Sequence, residues 1–195
     1  MAKAGAPPKF QEAHVNWIFW KIATGDKIGR KAIVEETGLG EGSIRTILER
    51  LEDYGLIKSS RGGRSLTEDG RKVSESLKRM IAIDKLGPMD LTKAQRNIGV
   101  LVKGGASRIG TGMEQRDAAI KVGRKGVTTL IDKDGRLSMP GFDDEVDIDQ
   151  DYHVDAKRIK LVFNPENGDA VIIGSEDTNQ KAEEAAWIAA STILS

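Results

Sequence analysis

Cysteine is missing altogether, histidine occurs only twice and proline five times in 195 residues. No apolar run reaches the length of about eighteen residues that a membrane-crossing helix needs. Without cysteine there can be no disulfide framework, no thiolate metal site and no cysteine nucleophile. Two histidines, His14 and His153, are too few for a metal sensor built on several imidazoles. His14 falls in a helical stretch and reads as a partly buried helix residue. No serine or threonine stands at the strand-to-helix elbow of a nucleophile. The opening residues, MAKAGAPPKF, lack the apolar centre of a secretion signal. These absences set the expectation of a cytoplasmic protein with no metal or cofactor and no enzymatic activity.

Charge of one sign is missing only in the average. The net charge is zero, yet residues 1–85 hold 16 Lys and Arg against 12 Asp and Glu, and residues 86–195 hold 14 against 18. A basic half therefore precedes an acidic one, which suits a nucleic-acid module joined to something else and keeps the acidic half off a phosphate backbone. With 38% hydrophobic residues the chain can fill two small cores. The domain boundary is expected between residues 86 and 87, where Leu86-Gly87-Pro88-Met89 stops a helix, because proline cannot continue one and restricts the residue before it. Residues 1–9 are small, basic and proline-bearing, and are expected to be mobile.

What is present is best organised around residues 27–67. Ile44, Ile47, Leu48, Leu51 and Tyr54 repeat at helical spacing and mark one buried face. Ser43, Arg45, Thr46, Glu49 and Arg50 occupy the other. Before them, Thr37-Gly38-Leu39-Gly40 breaks a shorter helix carrying Ala32, Ile33 and Val34, since glycine accepts the left-handed backbone of a sharp turn. Gly55 fits a helix C-terminus. Residues 56–59 then read as a strand, Arg61-Gly62-Gly63-Arg64 as a flexible basic loop, and residues 65–67 as the returning strand.

These residues resemble the winged helix-turn-helix DNA-binding domains of prokaryotic transcription regulators. The resemblance departs at Val34, where alanine is common, and at Gly40, where a serine cap is common. It implies that the second helix enters the major groove and that the hairpin touches the adjacent backbone. Ser43, Arg45 and Thr46 are then expected at base edges, Arg50 nearer the backbone, and Arg30, Lys31, Arg61 and Arg64 on phosphate or in the minor groove.

Residues 11–24 form a preceding helix with a stripe of Val15, Ile18, Phe19 and Ile22, flanked by Trp17 and Trp20. The two indoles either complete the local core or pack against a second chain of a homodimer. Residues 67–83 form a connecting helix with Val73, Leu77 and Ile81 on one side. Beyond the boundary, strands are expected over residues 97–103, 127–132, 136–139, 158–163 and 170–174, with Asp134-Gly135 making a tight hairpin. Helices are expected over residues 113–122 and 178–194, the latter with an alanine face for close packing on a sheet. The whole is α+β: a winged helix-turn-helix domain, then a small domain with a mainly antiparallel sheet and two helices. The layout, through GTGMEQRDAAIKVGRKGVTTLIDKDGRLSMPG, is similar to archaeal proteins that join a winged helix to an uncharacterised C-terminal domain.

Two stretches of the second half carry candidate chemistry. Residues 104–112 contain four glycines and lead from a strand into a helix, so converging backbone N–H groups and a positive helix end make an anion seat. Arg108, Gly110, Thr111, Gly112, Gln115 and Arg116 would line it for a phosphate or carboxylate effector. The stretch is neither a P-loop nor a dinucleotide fingerprint, and Glu114 and Asp117 could satisfy the helix end themselves, leaving only a structural turn. The acidic run Asp143, Asp144, Glu145, Asp147, Asp149 and Asp151 with His153 and Asp155 fails the EF-hand pattern at Tyr152 and Arg158. It reads as a solvated loop or a charged edge strand.

The expected function is a DNA-binding transcription regulator, a homodimer on double-stranded DNA, whose C-terminal domain dimerises or senses an anionic small molecule. Two rivals remain: a protein-interaction adaptor, and a small-metabolite enzyme regulated by its winged helix.

Overall fold

The computed structural model describes residues 10–25, 28–60, 62–141 and 144–194. Residues 1–9, Arg61 and Asp143, on which expectations were placed above, lie outside the described residues. Contacts divide the chain into two units, residues 1–75 and 76–195, so the division falls inside a helix, ahead of the proline turn expected to mark it.

The first unit begins with α1 (Glu12–Thr24), α2 (Arg30–Thr37) and α3 (Glu41–Asp53). Val15, Trp17, Ile18, Phe19, Trp20 and Ile22 of α1 are all buried, so both indoles are inside the chain. His14 is also buried, and its Nδ1 accepts the Gln11 N–H at 2.9 Å at the helix start. Gly38 stops α2 at φ 71° and donates its N–H to the Val34 carbonyl at 2.8 Å. A residue with a Cβ would be strained there. On α3, Ile44, Ile47, Leu48 and Leu51 are buried, as the helical stripe requires. Tyr54, the last of that stripe, is 58% exposed instead, because it sits at the C-cap where the helix ends.

A hairpin of β1 (Ile57–Ser60) and β2 (Gly63–Leu66) follows, with Lys58 opposite Ser65 and Ser59 opposite Arg64. Ile28 adds an antiparallel bridge to Arg64. Helix-turn-helix plus hairpin is the winged-helix arrangement. Arg64, expected in the flexible loop, is inside β2. The chain continues in α4 (Glu68–Met80), capped by Thr67, whose Oγ1 accepts the Gly70 N–H at 3.0 Å. The helix stops three residues earlier than its pattern suggested, and Ile81–Lys85 becomes a strand.

The second unit is a six-stranded antiparallel sheet with helices on both faces. Its strands are β3 (Ile81–Lys85), β4 (Asn97–Val102), β5 (Gly126–Lys133), β6 (Arg136–Met139), β7 (Val146–Asp147) and β8 (Ala170–Ser175), in the order β3-β4-β8-β5-β6-β7. Its helices are α5 (Met113–Lys121), α6 (Ile148–Asp151), α7 (His153–Phe163) and α8 (Asn179–Ser191). All of β4 and the first five residues of β8 are buried, as strands covered on both faces must be. On one face Leu101, Leu130, Val171 and Ile173 form a core with Ile148 of α6 and Ile159 and Phe163 of α7. On the other, α8 lies so close to β8 that a Cβ on Gly174 would stand 2.0 Å from the Ala182 carbonyl oxygen. The small alanine face of α8 permits that approach.

Residues 158–163 are helical, not the expected strand. In a strand, Ile159, Leu161 and Phe163 would share a face. In α7, Ala156, Ile159 and Phe163 are buried and Leu161 is 85% exposed, the pattern of a helical period. Residues 164–168 accordingly lead out of a helix, with Asn164 at φ 44°. The Asp134-Gly135 hairpin forms as expected, both residues having positive φ, 52° and 79°, the backbone of a type I′ turn.

Candidate nucleic-acid interface

The outward face of α3 is set by its inward one. Burial of Ile44, Ile47, Leu48 and Leu51 fixes the helix's rotation, which leaves Arg45 exposed and Ser43 and Thr46 half-buried beside it. Arg45 is held loosely by Glu49 one turn on, at 3.9 Å, with both side chains about two-thirds exposed, 66% and 63%. An exposed pair of this kind contributes at most about 1 kcal/mol, so Arg45 can exchange Glu49 for another acceptor. The Thr46 hydroxyl donates to the Gly42 carbonyl at 3.1 Å.

Arg30 and Lys31 are both exposed in the first turn of α2. That turn has no acidic residue, and its N-cap, Gly29, offers no side-chain acceptor. Two cations thus flank a helix start whose N–H groups have no side-chain cap among the described residues, the arrangement that attracts a phosphate.

Two arginines grouped with these have other engagements. Arg50 reaches back to α1, where it pairs with Glu12 at 3.4 Å and lies 5.2 Å above the Phe10 ring centre. Arg64 pairs with Glu52 of α3 at 3.6 Å, and its Nε is buried without a hydrogen bond. Glu52 also accepts the Ser59 hydroxyl at 2.7 Å. Both arginines tie elements of the first unit together, and their positions follow from carboxylates the sequence pattern did not connect to them.

Several of the six residues expected to line an anion seat have other partners. Residues Gly105–Arg108 form a 3-10 turn. The Arg108 guanidinium donates to the Ile193 carbonyl at 2.6 Å, and the buried Gln115 donates to the Thr192 hydroxyl at 2.7 Å. Both therefore secure the C-terminal end of α8. Arg116 pairs with its neighbour Asp117 at 3.5 Å. Gly112 caps α5 with φ 78° and lies against Thr129, while Gly110 stands in open space and Thr111 is half-buried. A carbonyl left without an intrahelical partner at a helix end is a strong attraction for arginine, which accounts for the Arg108 contact.

The acidic run is divided among structural tasks. Asp147 caps α6 by accepting the Gln150 N–H at 3.1 Å, and β7 is indeed the edge of the sheet. Glu145 bonds Lys133 and Ser138, and the Lys133 bond holds its pKa below the usual carboxylate range. Asp149 is pushed up by burial, but bonds from Lys160 and the Leu137 N–H outweigh this and lower it overall. Asp155 accepts the Leu91 N–H at 2.8 Å. The neighbouring Asp132 behaves oppositely: burial raises its pKa, and its Oδ2 has no hydrogen bond. Among the described residues no group of three or more metal-ligating side chains gathers, and no helix is long and apolar enough to cross a membrane.

Comparison with known proteins bears on both units. Residues 93–193 match the model of a family described as a domain of unknown function, DUF4443. Residues 23–72 match the PH0730-like N-terminal domain. Among solved structures, the hypothetical protein PH0730 from Pyrococcus horikoshii OT3 is similar at 30% identity and a TM-score of 0.74, covering 94% of this chain and 92% of that one. None of the curated proteins matches.

Proposed function

The chain belongs to the DUF4443 family, and from that starting point we propose that it is a DNA-binding transcription regulator that acts by binding and not by catalysis. The observation that carries this reading is the outward face of α3, where Arg45 stands exposed with Ser43 and Thr46 beside it after a glycine-stopped turn. A helix lying in the major groove presents such a face, with arginine able to donate two bonds to a guanine edge. The bare, cationic start of α2 supplies the adjoining phosphate contact. In this reading Arg50 and Arg64 orient α1, α3 and the hairpin, and base recognition falls to Ser43, Arg45 and Thr46.

The test is duplex binding by fluorescence anisotropy, on fragments selected from random DNA by the purified chain. Arg45→Ala is expected to lose about 1–3 kcal/mol on the selected duplex and little on random sequence. Arg30→Ala is expected to weaken both alike and to lower the salt slope by about one. Equal losses on both duplexes in both variants would overturn the assignment of roles.

A protein-interaction adaptor is the second reading, favoured by the ion pairs of Arg45 with Glu49, Arg50 with Glu12 and Arg64 with Glu52, which reduce the field on a half that is only modestly basic. Absence of any duplex shift at low salt would select it. The regulator is further proposed to be a homodimer. Since Trp17 and Trp20 are inside the chain, its contact would draw on other surfaces, such as Val73 and Met80, each 39% exposed on α4. Sedimentation showing a monomer at micromolar concentration would exclude it.

A further inference from the structure

Beside the hairpin of the first unit lies an open cleft of about 670 Å³, within the span of roughly 300–1,000 Å³ typical of small-ligand sites. Its walls combine aliphatic surface from Ile22 and Leu66 with the cations Lys58, Arg64 and Arg71 and the hydroxyl of Ser65. The hairpin register brings three of these groups together. Lys58 stands directly opposite Ser65, so their side chains share one face of the ribbon. Arg71, in the first turn of α4, donates to the carbonyl of Leu66 at 3.4 Å, which places its guanidinium next to Ser65.

Among the described residues the charges here are not balanced internally. Among the described residues neither Lys58 nor Arg71 has a carboxylate partner and the Ser65 hydroxyl has no hydrogen bond, whereas Arg64 is offset by Glu52 at 3.6 Å. Two cations and a hydroxyl without partners among the described residues, set over an aliphatic wall, match a ligand with two negative charges and an apolar body. We propose that this cleft binds a small organic phosphate monoester, with Lys58 and Arg71 on the phosphate, Ser65 donating to it, and Ile22 and Leu66 against the organic part. The proposal does not depend on DNA binding, and it places ligand recognition on the hairpin itself.

The experiment is a titration of the full chain, followed by amide NMR, with phenyl phosphate, inorganic phosphate and phenol as separate probes. Phenyl phosphate is expected to give saturable shifts at Lys58, Ser65, Leu66 and Arg71, inorganic phosphate weaker shifts at the same amides, and phenol none that saturate. Lys58→Ala and Arg71→Ala should each weaken phenyl phosphate about ten-fold, as loss of one charge-assisted contact does, while Arg45→Ala should leave it unchanged. Two exposed positions are used so that a folding defect in one variant, visible in its spectrum, leaves the other decisive. Linear shifts spread over all basic residues, or unchanged affinity in a folded variant, would overturn the proposal. So would a duplex that shifts the same amides and displaces phenyl phosphate competitively while Arg71→Ala costs it equal affinity, since the cleft would then be a contact for the DNA backbone.

Discussion

Arg50 shows how neighbours on another helix decide where a side chain lies. It lies on the polar side of α3, yet Glu12 at 3.4 Å and the Phe10 ring at 5.2 Å hold it against α1. A half-exposed pair and a cation–π contact are each worth at most about 1 kcal/mol. Arg50→Ala is therefore expected to lower the urea midpoint slightly and to change duplex affinity less than Arg45→Ala does, which denaturation and anisotropy together would check. Asp149 and Asp132 make a second pair of residue-level expectations, of opposite sign. Because the folded pKa of Asp149 is depressed, its ionised form adds stability above the ordinary carboxylate range, and this is lost as the pH falls through the folded value. The pKa of Asp132 is raised, so its ionised form costs stability near neutrality, and acidification through the raised value relieves that cost. Urea midpoints measured from about pH 7 downward should fall less steeply in Asp149→Asn than in the parent, and more steeply in Asp132→Asn. Identical profiles would show that neither carboxylate is linked to folding.

Elements are fixed here by close approaches as much as by periodicity. The α8–β8 contact requires a residue without a side chain at Gly174, where a Cβ would meet Ala182 and Ala186 backbone atoms at 2.0 and 2.6 Å. Gly70 plays the same part for α4, with the Leu56 carbonyl oxygen 1.9 Å from an added Cβ. Backbone cannot step aside as a flexible side chain can, so overpacking at either site is expected to cost at least about 1–3 kcal/mol. Gly174→Ala and Gly70→Ala should lower the thermal midpoint, whereas Gly110→Ala, in open space, should change it far less. The glycine count of residues 104–112 gives no hint of Gly174 or Gly70, because a cluster is visible in a sequence and a single close approach is not. The α7 segment teaches the related lesson that Ile159, Leu161 and Phe163 fit a strand until the position of the core is known.

The whole molecule divides inside α4, between residues 75 and 76, and β3 belongs with the sheet through five paired positions with β4. A fragment beginning at residue 76 is expected to stay monodisperse, while one beginning at residue 86 bares the edge of the fully buried β4 and should aggregate, a difference sedimentation velocity would report. The sequence alone determined the helix-turn-helix and its hairpin, the antiparallel α+β character of the second unit, the Asp134-Gly135 turn and the alanine face of α8. Those follow from local rules: backbone preference, capping and the repeat of apolar side chains act over a few residues. Tertiary structure decided that residues 81–85 extend the sheet and that residues 158–163 are helical. It also decided that Arg50, Arg64 and Arg108 meet Glu12, Glu52 and the Ile193 carbonyl, and that Lys58, Ser65 and Arg71 line one cleft. Each of these depends on which distant carboxylate, carbonyl or core atom comes within a few ångströms, and separation along the chain carries no record of that distance.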